Sequence, residues 1–470
     1  MIIRKISNAL PKRLLTTTLL LTAGFAAFAN TINVYDADQL QNALKNAQPG
    51  DEIIVNPGNY VGEQYKSGNS KSHFFSDRSG TASDPIILRS RSTLNKQVLK
   101  GDDVNSAYIF YLKGDYWEIK DLKFSTAQKG IMLEGANHNV IDNVALWDLG
   151  AEAVHFRYFS SNNTLKNCYI HNTGKRKGKE GFGEAVYVGS HNGHTSSKFD
   201  PSNNNRIGGC SIGPNITGEA FDIKSGTKGT VIESNYMSAQ GIIGTAASPA
   251  ADSFIDIKGT DVIVRNNVMD WANDSNLDHA IFTYQEHRNS NIYNNQFRLS
   301  TSSPTYKLLE ETVHAVDNIR LDGGSRLVQK DYQLEHIDDR LDQSIEQVAY
   351  SYTCFDELTN GCGTSPIEPT PPPANACTGI KDVEWNARVE ISLAESNCIR
   401  FSNDLANERL QAWDSDENSS CNFRGEIESV SNPSISGVVD ANYNGFRNFS
   451  GTTFKITSNN NCPYIKVRAY

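Results

Sequence analysis

One short phrase recurs through the middle of the chain and limits what it can fold into. It is an apolar or β-branched residue, two others, Asn, one other, then an apolar residue. It occurs as VIDNVA (140–145), TLKNCY (164–169), IESNYM (232–237), VRNNVM (264–269) and IYNNQF (292–297), with a glycine variant, RIGGCS (206–211). Aligned this way, Asn143, Asn167, Gly209, Asn235, Asn267 and Asn295 form one column, separated by 24, 42, 26, 32 and 28 residues. A degenerate copy, WEIKDLKF, puts Asp121 in the column 22 residues earlier. A period in the twenties with short β-type segments and Asn or Gly at corners specifies a solenoid. No single turn buries its apolar face alone, but stacked turns make a continuous core. The expected fold is all-β, a parallel β-helix whose turns stack at about 4.8 Å. Stacked asparagines at a corner satisfy one another and the next turn's backbone. A leucine-rich repeat fails because leucine is scarce at fixed positions and the turns vary in length. A two-sheet sandwich predicts no fixed Asn column.

Cys168 and Cys210 follow the column directly on successive turns. Stacking brings their Cα atoms to about 4.8 Å, within disulfide range. An unbonded pair of small buried side chains fits the same place.

The rest of the chain divides around this repeat. Residues 1–29 read as a secretory signal. Arg4, Lys5, Lys12 and Arg13 precede an apolar run over 14–28 that ends in Ala27-Phe28-Ala29. The run is shorter than the roughly 20 residues a membrane anchor needs, so a secreted or periplasmic bacterial protein without a membrane span is expected. Eight cysteines, six of them after residue 350 and none in a C-x-x-C pair, fit an oxidising compartment. The β-helix is expected over 30–350. Its first part, 36–62, reads as an amphipathic helix, a turn and a strand, with Asp36 or Asp38 as the N-cap. That helix plugs the open end of the solenoid, and 308–349 closes the other end. Residues 351–376 form a linker, Pro-rich over 363–376, with Cys354 and Cys362 closing a small loop before it. Residues 377–470 read as a small Cys-rich β domain with two disulfides. There Trp385, Trp413, Tyr443 and Tyr464 either stack on sugar rings or fill a core.

A second column of phrases precedes the first on each turn: GAEAVHFRY (150–158), GEAVYVGS (183–190), GEAFDIKSG (218–226), ADSFIDIKG (251–259) and LDHAIFTYQ (277–285). Read as strands of one sheet, alternation turns Val154, Phe156, Val186, Val188, Phe221 and Ile223 inward. His155, Arg157, Tyr187, Asp222 and Lys224 then point outward. Asp256 and Lys258 share that phase, although ADSFIDIK has an extra residue and implies a bulge. Each strand opens with an acid: Glu152, Glu184, Glu219, Asp252 and Asp278. Carboxylates and cations aligned with aromatic and His groups read as a site. The plain alternative is a self-paired surface charge ladder.

Charge bears on the partner. The chain carries 44 basic and 54 acidic residues, a net −10, which argues against nucleic acid, whose phosphates need a basic footprint. Lys175, Arg176, Lys177 and Lys179 reverse that sign locally. They sit in the longest insertion of the repeat, where a loop overhangs the strip, and point to an anionic substrate.

The Asn-corner repeats, the helical cap and the charged strand face resemble right-handed parallel β-helix proteins of the secreted polysaccharide-lyase kind, the pectate lyases and the alginate lyase–chondroitinase B group. The phrases GAEAVHFR, FGEAVYVGS, EAFDIKSGT and DSFIDIKG are also similar to a group of secreted β-helix proteins. The resemblance covers about residues 30–350 and implies β-elimination on an acidic, uronate-containing polysaccharide by a monomeric enzyme. Roles follow by chemistry and position. Lys224 or Lys258 is the base, each lowering the other's pKa. Arg157 binds the substrate carboxylate, and His155 or Tyr187 protonates the leaving oxygen. Tyr187, Tyr284, Lys175, Arg176, Lys177 and Lys179 bind substrate. Glu219, Asp222, Asp252 and Asp256 can supply oxygen ligands to Ca²⁺. Two other readings stand beside this one: a glycoside hydrolase using Asp222 and Asp256, and a non-catalytic glycan-binding surface protein.

Overall fold

The computed structural model describes residues 29–68, 70–191, 200–243, 251–272, 277–309 and 311–341, together with the strands of 380–469. The expected signal segment up to residue 28, the expected Cys354–Cys362 pairing and the expected linker lie outside the described residues.

The described chain opens with strand Thr31–Asp36 and helix Ala37–Asn46. Asp36, not Asp38, caps the helix: its carboxylate accepts from the Gln39 amide at 2.8 Å. Leu40, Ala43 and Leu44 are buried on the inner face, so the helix covers the first coil's apolar end.

From there the chain winds into three parallel sheets. In one sheet, Ile119, Ile141, Leu165, Ile207, Ile232, Val264 and Ile292 stack in register, one per coil. All seven are fully buried. Each such side chain stabilises the stack by about 1.5–3 kcal/mol, and this internal aliphatic ladder forms the core. At the far end, strands Val313–Val316 and Ile337–Asp338 and the 3₁₀ segment Asp331–His336 finish the coil. Among the described residues no helix is long and apolar enough to cross a membrane.

Strand pairing corrects the Asn column. Asp142, Lys166, Gly208, Glu233, Arg265 and Tyr293 are in register. The next residues, Asn143, Asn167, Gly209, Ser234, Asn266 and Asn294, therefore share one corner, and all have φ between +52° and +64°. Asn235, Asn267 and Asn295 lie one position further, level with Val144, Cys168 and Cys210. The phrase thus straddles two columns. One needs the left-handed backbone that Asn and Gly tolerate. The other points an amide inward: Asn235 donates to Asn267 at 3.0 Å, Asn267 to Asn295 at 2.9 Å, and Asn295 to Asn318 at 2.9 Å. Both positions select asparagine, for different reasons.

Cys168 and Cys210 occupy the inward slot and are disulfide-bonded, with Cα atoms 4.4 Å apart. The Cys210 amide donates to Asn235 Oδ1 at 2.9 Å, so the amide ladder continues onto the disulfide. A second ladder, Asn139–Asn163–Asn205, runs along another corner with side-chain bonds of 3.0 Å.

The C-terminal strands form a five-stranded and a four-stranded sheet, mostly antiparallel. Cys398 is disulfide-bonded. The side chains of Trp385, Trp413, Tyr443 and Tyr464 lie outside the described residues.

Candidate active site

The site is built on the third sheet. Its strands Lys129–Glu134, Val154–Arg157, Val186–Val188, Phe221–Ile223, Ile255–Ile257, Ile281–Thr283 and Tyr306–Leu308 pair in parallel. Val154, Phe156, Val186, Val188, Phe221 and Ile223 face the core and are fully buried. The extra residue in ADSFIDIK is absorbed at a doubled contact, where the amides of Phe254 and Ile255 both donate to the Ala280 carbonyl. The register therefore survives: His155, Tyr187, Asp222, Asp256, Phe282 and Lys307 form one outward column. Arg157, Lys224, Lys258 and Tyr284 form the next. In that second column Gly189 holds φ at +91°, and a Cβ there would meet Thr227 at 2.6 Å and Lys224 Cβ at 3.1 Å. The absence of a side chain keeps room for Lys224.

These columns point away from the coil interior, yet they are largely buried. Asp222 and Lys258 are 4% exposed and His155 6%. Loop 171–185 overhangs them and makes a cleft of about 750 Å³. Arg176, Lys179 and Phe182 line it from above; Glu152, His155, Arg157, Glu184, Tyr187, Glu219, Asp222, Lys224, Asp256, Lys258 and Tyr284 line it from the sheet. Lys175 and Lys177 are exposed and outside the lining, and Lys175 pairs with Asp148 at 2.7 Å. Asp252 is also outside the lining, paired with Lys307 at 3.4 Å, and Asp278 is exposed.

Ion pairing divides the two lysines that the sequence treats alike. Lys258 Nζ lies 2.6 Å from Asp222 Oδ1 and 3.0 Å from Asp256 Oδ2. Burial alone would lower its pKa, but Asp222 and Asp256 outweigh that and hold it well above the ordinary lysine value. The two carboxylates thus favour the protonated form of Lys258, the opposite of the lowering expected from sequence. Among the described residues Lys224 pairs with Asp222 alone, and it lies 4.6 Å from the centre of the Tyr187 ring, at the cleft surface. Burial, then Asp222 and Glu184, push the Tyr187 hydroxyl well above its usual value, so it carries a proton.

His155 and Arg157 have other work than the sequence suggests. His155 Nε2 is 2.9 Å from the Gly189 carbonyl, and Nδ1 is 3.4 Å from Glu152. Burial lowers its pKa, and its ring packs on Tyr187 at 4.5 Å. Nδ1 has no hydrogen-bond partner among the described residues, and the ring contact places His155 to orient Tyr187. Arg157 gives Nε and Nη2 to one Glu134 oxygen at 3.1 and 2.7 Å, which fixes the guanidinium at the cleft wall and leaves its Nη1 side for another acceptor.

The acids do not assemble as one calcium cage. Their oxygens group as Glu184, Glu219 and Asp222, and as Glu219, Asp252 and Asp256. The Lys258 ammonium stands between Asp222 and Asp256, and Lys224 and Ser253 take further oxygens of the same two residues. Three of the four acids named from sequence, Glu219, Asp252 and Asp256, nevertheless bring oxygens within 4.8 Å of one another, and Asp222 joins Glu219 in the other group, while the ammonium contacts compete for oxygens of Asp222 and Asp256.

Glu152 was visible in sequence as a strand-opening acid, but its partner Lys129, at 2.7 Å, was not. Lys129 lies on an earlier coil whose phrase, KGIMLE, lacks the aspartate–lysine pattern. Lys307 was missed for the same reason. Burial pushes the Glu152 carboxyl upward, but Lys129 and His155 more than offset it and hold it well below the ordinary range.

A capped parallel coil with a charged, roofed cleft along one sheet defines a parallel β-helix protein with a candidate active site on its third sheet. Residues 22–253 match a family described as Pel9A-like, right handed beta helix region. A solved alginate lyase from Paenibacillus sp. str. FPU-7 is 37% identical, with a TM-score of 0.59; the match covers 66% of this chain and 99% of that one. Pectate lyase L of Dickeya chrysanthemi is 27% identical over 209 residues, 43% of this chain and 45% of that protein. Pectate lyase L of Dickeya dadantii (strain 3937) is 26% identical over the same length. The chain spans less than half the length of these two curated relatives. It belongs to the Pel9A-like right-handed parallel β-helix family.

Proposed function

We propose that this protein is an exported lyase that cleaves a uronate polysaccharide by β-elimination, with alginate the first substrate to test. One observation carries the reading: Lys224 and the proton-bearing Tyr187 are neighbours at the cleft surface. Alginate is favoured because the relative matched over nearly its whole length is an alginate lyase.

In this reading the amine of Lys224 takes the proton from the carbon bearing the substrate carboxylate. The electron pair left behind forms the new C=C bond as the neighbouring C–O bond breaks, and the Tyr187 hydroxyl gives its proton to the departing oxygen. Asp222 holds Lys224, His155 holds the Tyr187 ring, and Lys258 holds Asp222 and Asp256. Arg176 and Lys179 attract the polyanion from the overhanging loop. No step is assigned to a metal. A hydrolase needs one carboxyl that bears a proton and one that does not. Asp222 and Asp256 are both salt-bridged to Lys258, so neither is set up as the proton-bearing member.

The test is incubation with alginate, polygalacturonate and glucuronan while recording the ultraviolet absorbance of unsaturated chain ends. Growth of that absorbance on at least one polymer is expected. New reducing ends without it mean hydrolysis, and tight polymer binding with no new ends means a binding protein.

A further inference from the structure

The cleft is longer than the chemistry assigned to it. Its lining comes from six successive coils of the third sheet, from Lys129 through Arg157, Tyr187, Asp222 and Asp256 to Tyr284. At the spacing of neighbouring strands that is about 24 Å. Tyr187 and Lys224 occupy two adjacent coils near the middle. Arg157 lies two coils before Lys224 in the same outward column, about 10 Å along the sheet. Two hexuronate residues of an extended chain span a similar length. A polymer laid across the strands with one sugar at Lys224 therefore brings another to Arg157.

Arg157 is held there in a fixed pose. Nε and Nη2 both donate to one Glu134 oxygen, and the ring centres of Tyr158 and Tyr108 lie 4.8 and 5.8 Å from the guanidinium carbon. Nη1 makes no hydrogen bond among the described residues. The corner that carries Tyr158 is strained. Tyr158 and Phe159 hold φ at +49° and +72°, a left-handed backbone that costs a residue with a side chain about 1–2 kcal/mol. On the preceding coil the position level with Tyr158 is Gly135, at +62°. Buried Asp200 locks the corner: its carboxylate accepts from the Tyr158 and Phe159 amides at 2.7 and 3.0 Å, and from the Ser190 and Ser202 hydroxyls. A corner that only turns the chain is served by glycine. This one keeps a tyrosine under strain against an arginine at the cleft wall, the pattern of a ligand clamp.

We propose that Arg157 and Tyr158 form a second uronate subsite, two sugars from the one that loses its proton, where the Nη1 side of Arg157 binds that sugar's carboxylate. This deepens the lyase reading and rests on it for the ligand and for the place of the reacting sugar. The guanidinium is a rigid plane with five N–H donors. Glu134 fixes that plane and the Tyr158 ring lies against it, so the remaining donors point one way, as recognition of a planar carboxylate requires. A sugar without a carboxylate would leave those donors unmatched, which costs binding. Charge on a sugar remote from the broken bond does not change during elimination. The contact therefore contributes affinity and register equally in the ground state and the transition state, and it acts on KM rather than on kcat. Glu134 and Asp200 are positioning residues: one orients Arg157, the other the corner beneath Tyr158.

Binding is measured first, apart from turnover, by calorimetry of di- and tetrasaccharides of alginate, polygalacturonate and glucuronan on Lys224→Ala. Affinity is expected to rise about tenfold or more from the disaccharide, too short to reach Arg157, to the tetrasaccharide, the effect of a hydrogen bond to a charged group. With Arg157→Ala added, that rise is expected to shrink to less than about threefold. In the lyase assay with Lys224 present, Arg157→Ala is expected to raise KM for the tetrasaccharide about tenfold and to change kcat less than about threefold. Asp200→Asn is expected to raise the same KM at least about threefold with kcat kept. Equal affinity for the two lengths overturns the proposal, as does a length dependence that survives Arg157→Ala. A fall in kcat with KM unchanged also overturns it, because that places Arg157 at the reacting sugar. Should Arg157→Ala fail to fold, Arg157→Lys keeps a cation beside Glu134 and removes the second edge; loss of the length dependence is expected, and its full retention overturns the proposal. Length-dependent binding through Arg157 without unsaturated product rejects the lyase reading and leaves the subsite standing. Unsaturated product with the same length dependence in Arg157→Ala rejects the subsite alone. No binding of any uronate oligomer rejects both.

Discussion

Lys224 and Lys258 each follow an aspartate by two residues on adjacent coils, yet only one of them faces the cleft with a single counter-ion. Alternation along the strand fixes the direction of both side chains, and that much was legible from sequence. The division of labour was not, because it depends on Asp222 and Asp256 closing around one ammonium, which is a matter of register between coils. Lys224→Ala is expected to lower kcat by about 10²–10⁴-fold, the usual contribution of a positioned proton-transfer group, with little loss of thermal stability. Tyr187→Phe, which keeps the ring packed on His155, is expected to lower kcat by a similar factor while KM changes less than about threefold. Lys258→Met leaves two buried carboxylates without their shared cation. Breaking such a pair costs about 3–5 kcal/mol, so this variant is expected to melt several degrees lower. A Lys258→Met protein with wild-type Tm and lost activity would return Lys258 to the list of bases. The same reasoning separates Glu184 and Glu219 from Glu152: three acids opening three successive strands look alike in sequence, and only Lys129, from a phrase without their pattern, distinguishes one of them.

At the level of the coil, sequence gave the period and missed a one-residue offset. Asn143 and Asn235 occupy the same place in the repeated phrase, but Asn143 is a corner with φ +56° and Asn235 is an inward amide whose preceding residue, Ser234, takes the corner at +55°. A phrase that reads x-Asn-Asn-x, as at 266–267 and 294–295, fills both columns and hides the shift. The two asparagines should respond differently to glycine. Asn143→Gly keeps the left-handed backbone and loses side-chain bonds at a half-buried surface, to Asp121 and from Lys96. It is expected to change stability by less than about 1 kcal/mol. Asn267→Gly removes a fully buried amide that joins Asn235, Asn295 and the Ile232 carbonyl. It leaves those partners unsatisfied, with an expected loss of about 2–4 kcal/mol. Urea unfolding of the two variants decides the matter, and equal losses would mean the inward ladder is not a source of stability. The disulfide between Cys168 and Cys210 belongs to the same column, where a covalent link replaces the amide chain for one step.

For the molecule as a whole, buried titrating groups with opposite displacements set the pH range in which the coil is stable. Burial holds His279 down to about 3 and His287 down to about 4, against about 6.5 in an unfolded chain. Below pH 6.5 the unfolded chain binds protons that the folded chain refuses, so stability falls as pH drops through this window. Glu152 and Asp222, whose folded values are depressed, add to the loss once pH falls below the ordinary carboxylate range. Glu184 acts the other way. Its folded value of about 8 exceeds the unfolded carboxylate value, so between about pH 4.5 and 8 the folded chain keeps a proton that the unfolded chain releases, and stability falls as pH rises. Where the two windows overlap, the slopes oppose each other and Tm should vary little. Between pH 6.5 and 8 only the carboxyl slope remains, and Tm should decline. Glu184→Gln cannot release that proton, so its Tm advantage over the natural protein should grow across this interval and level off above pH 8. Phe in place of His279 should instead remove part of the acid-side decline and leave the alkaline side unchanged. Calorimetric scans of the three proteins at half-unit steps from pH 4 to 9 test both limbs. Parallel curves for the natural protein and Glu184→Gln between pH 6.5 and 8 would show that Glu184 is already ionised in the folded cleft. In that case the polyanion would meet an ionised floor, and its attraction would rest on Arg176, Lys179 and Lys224 alone.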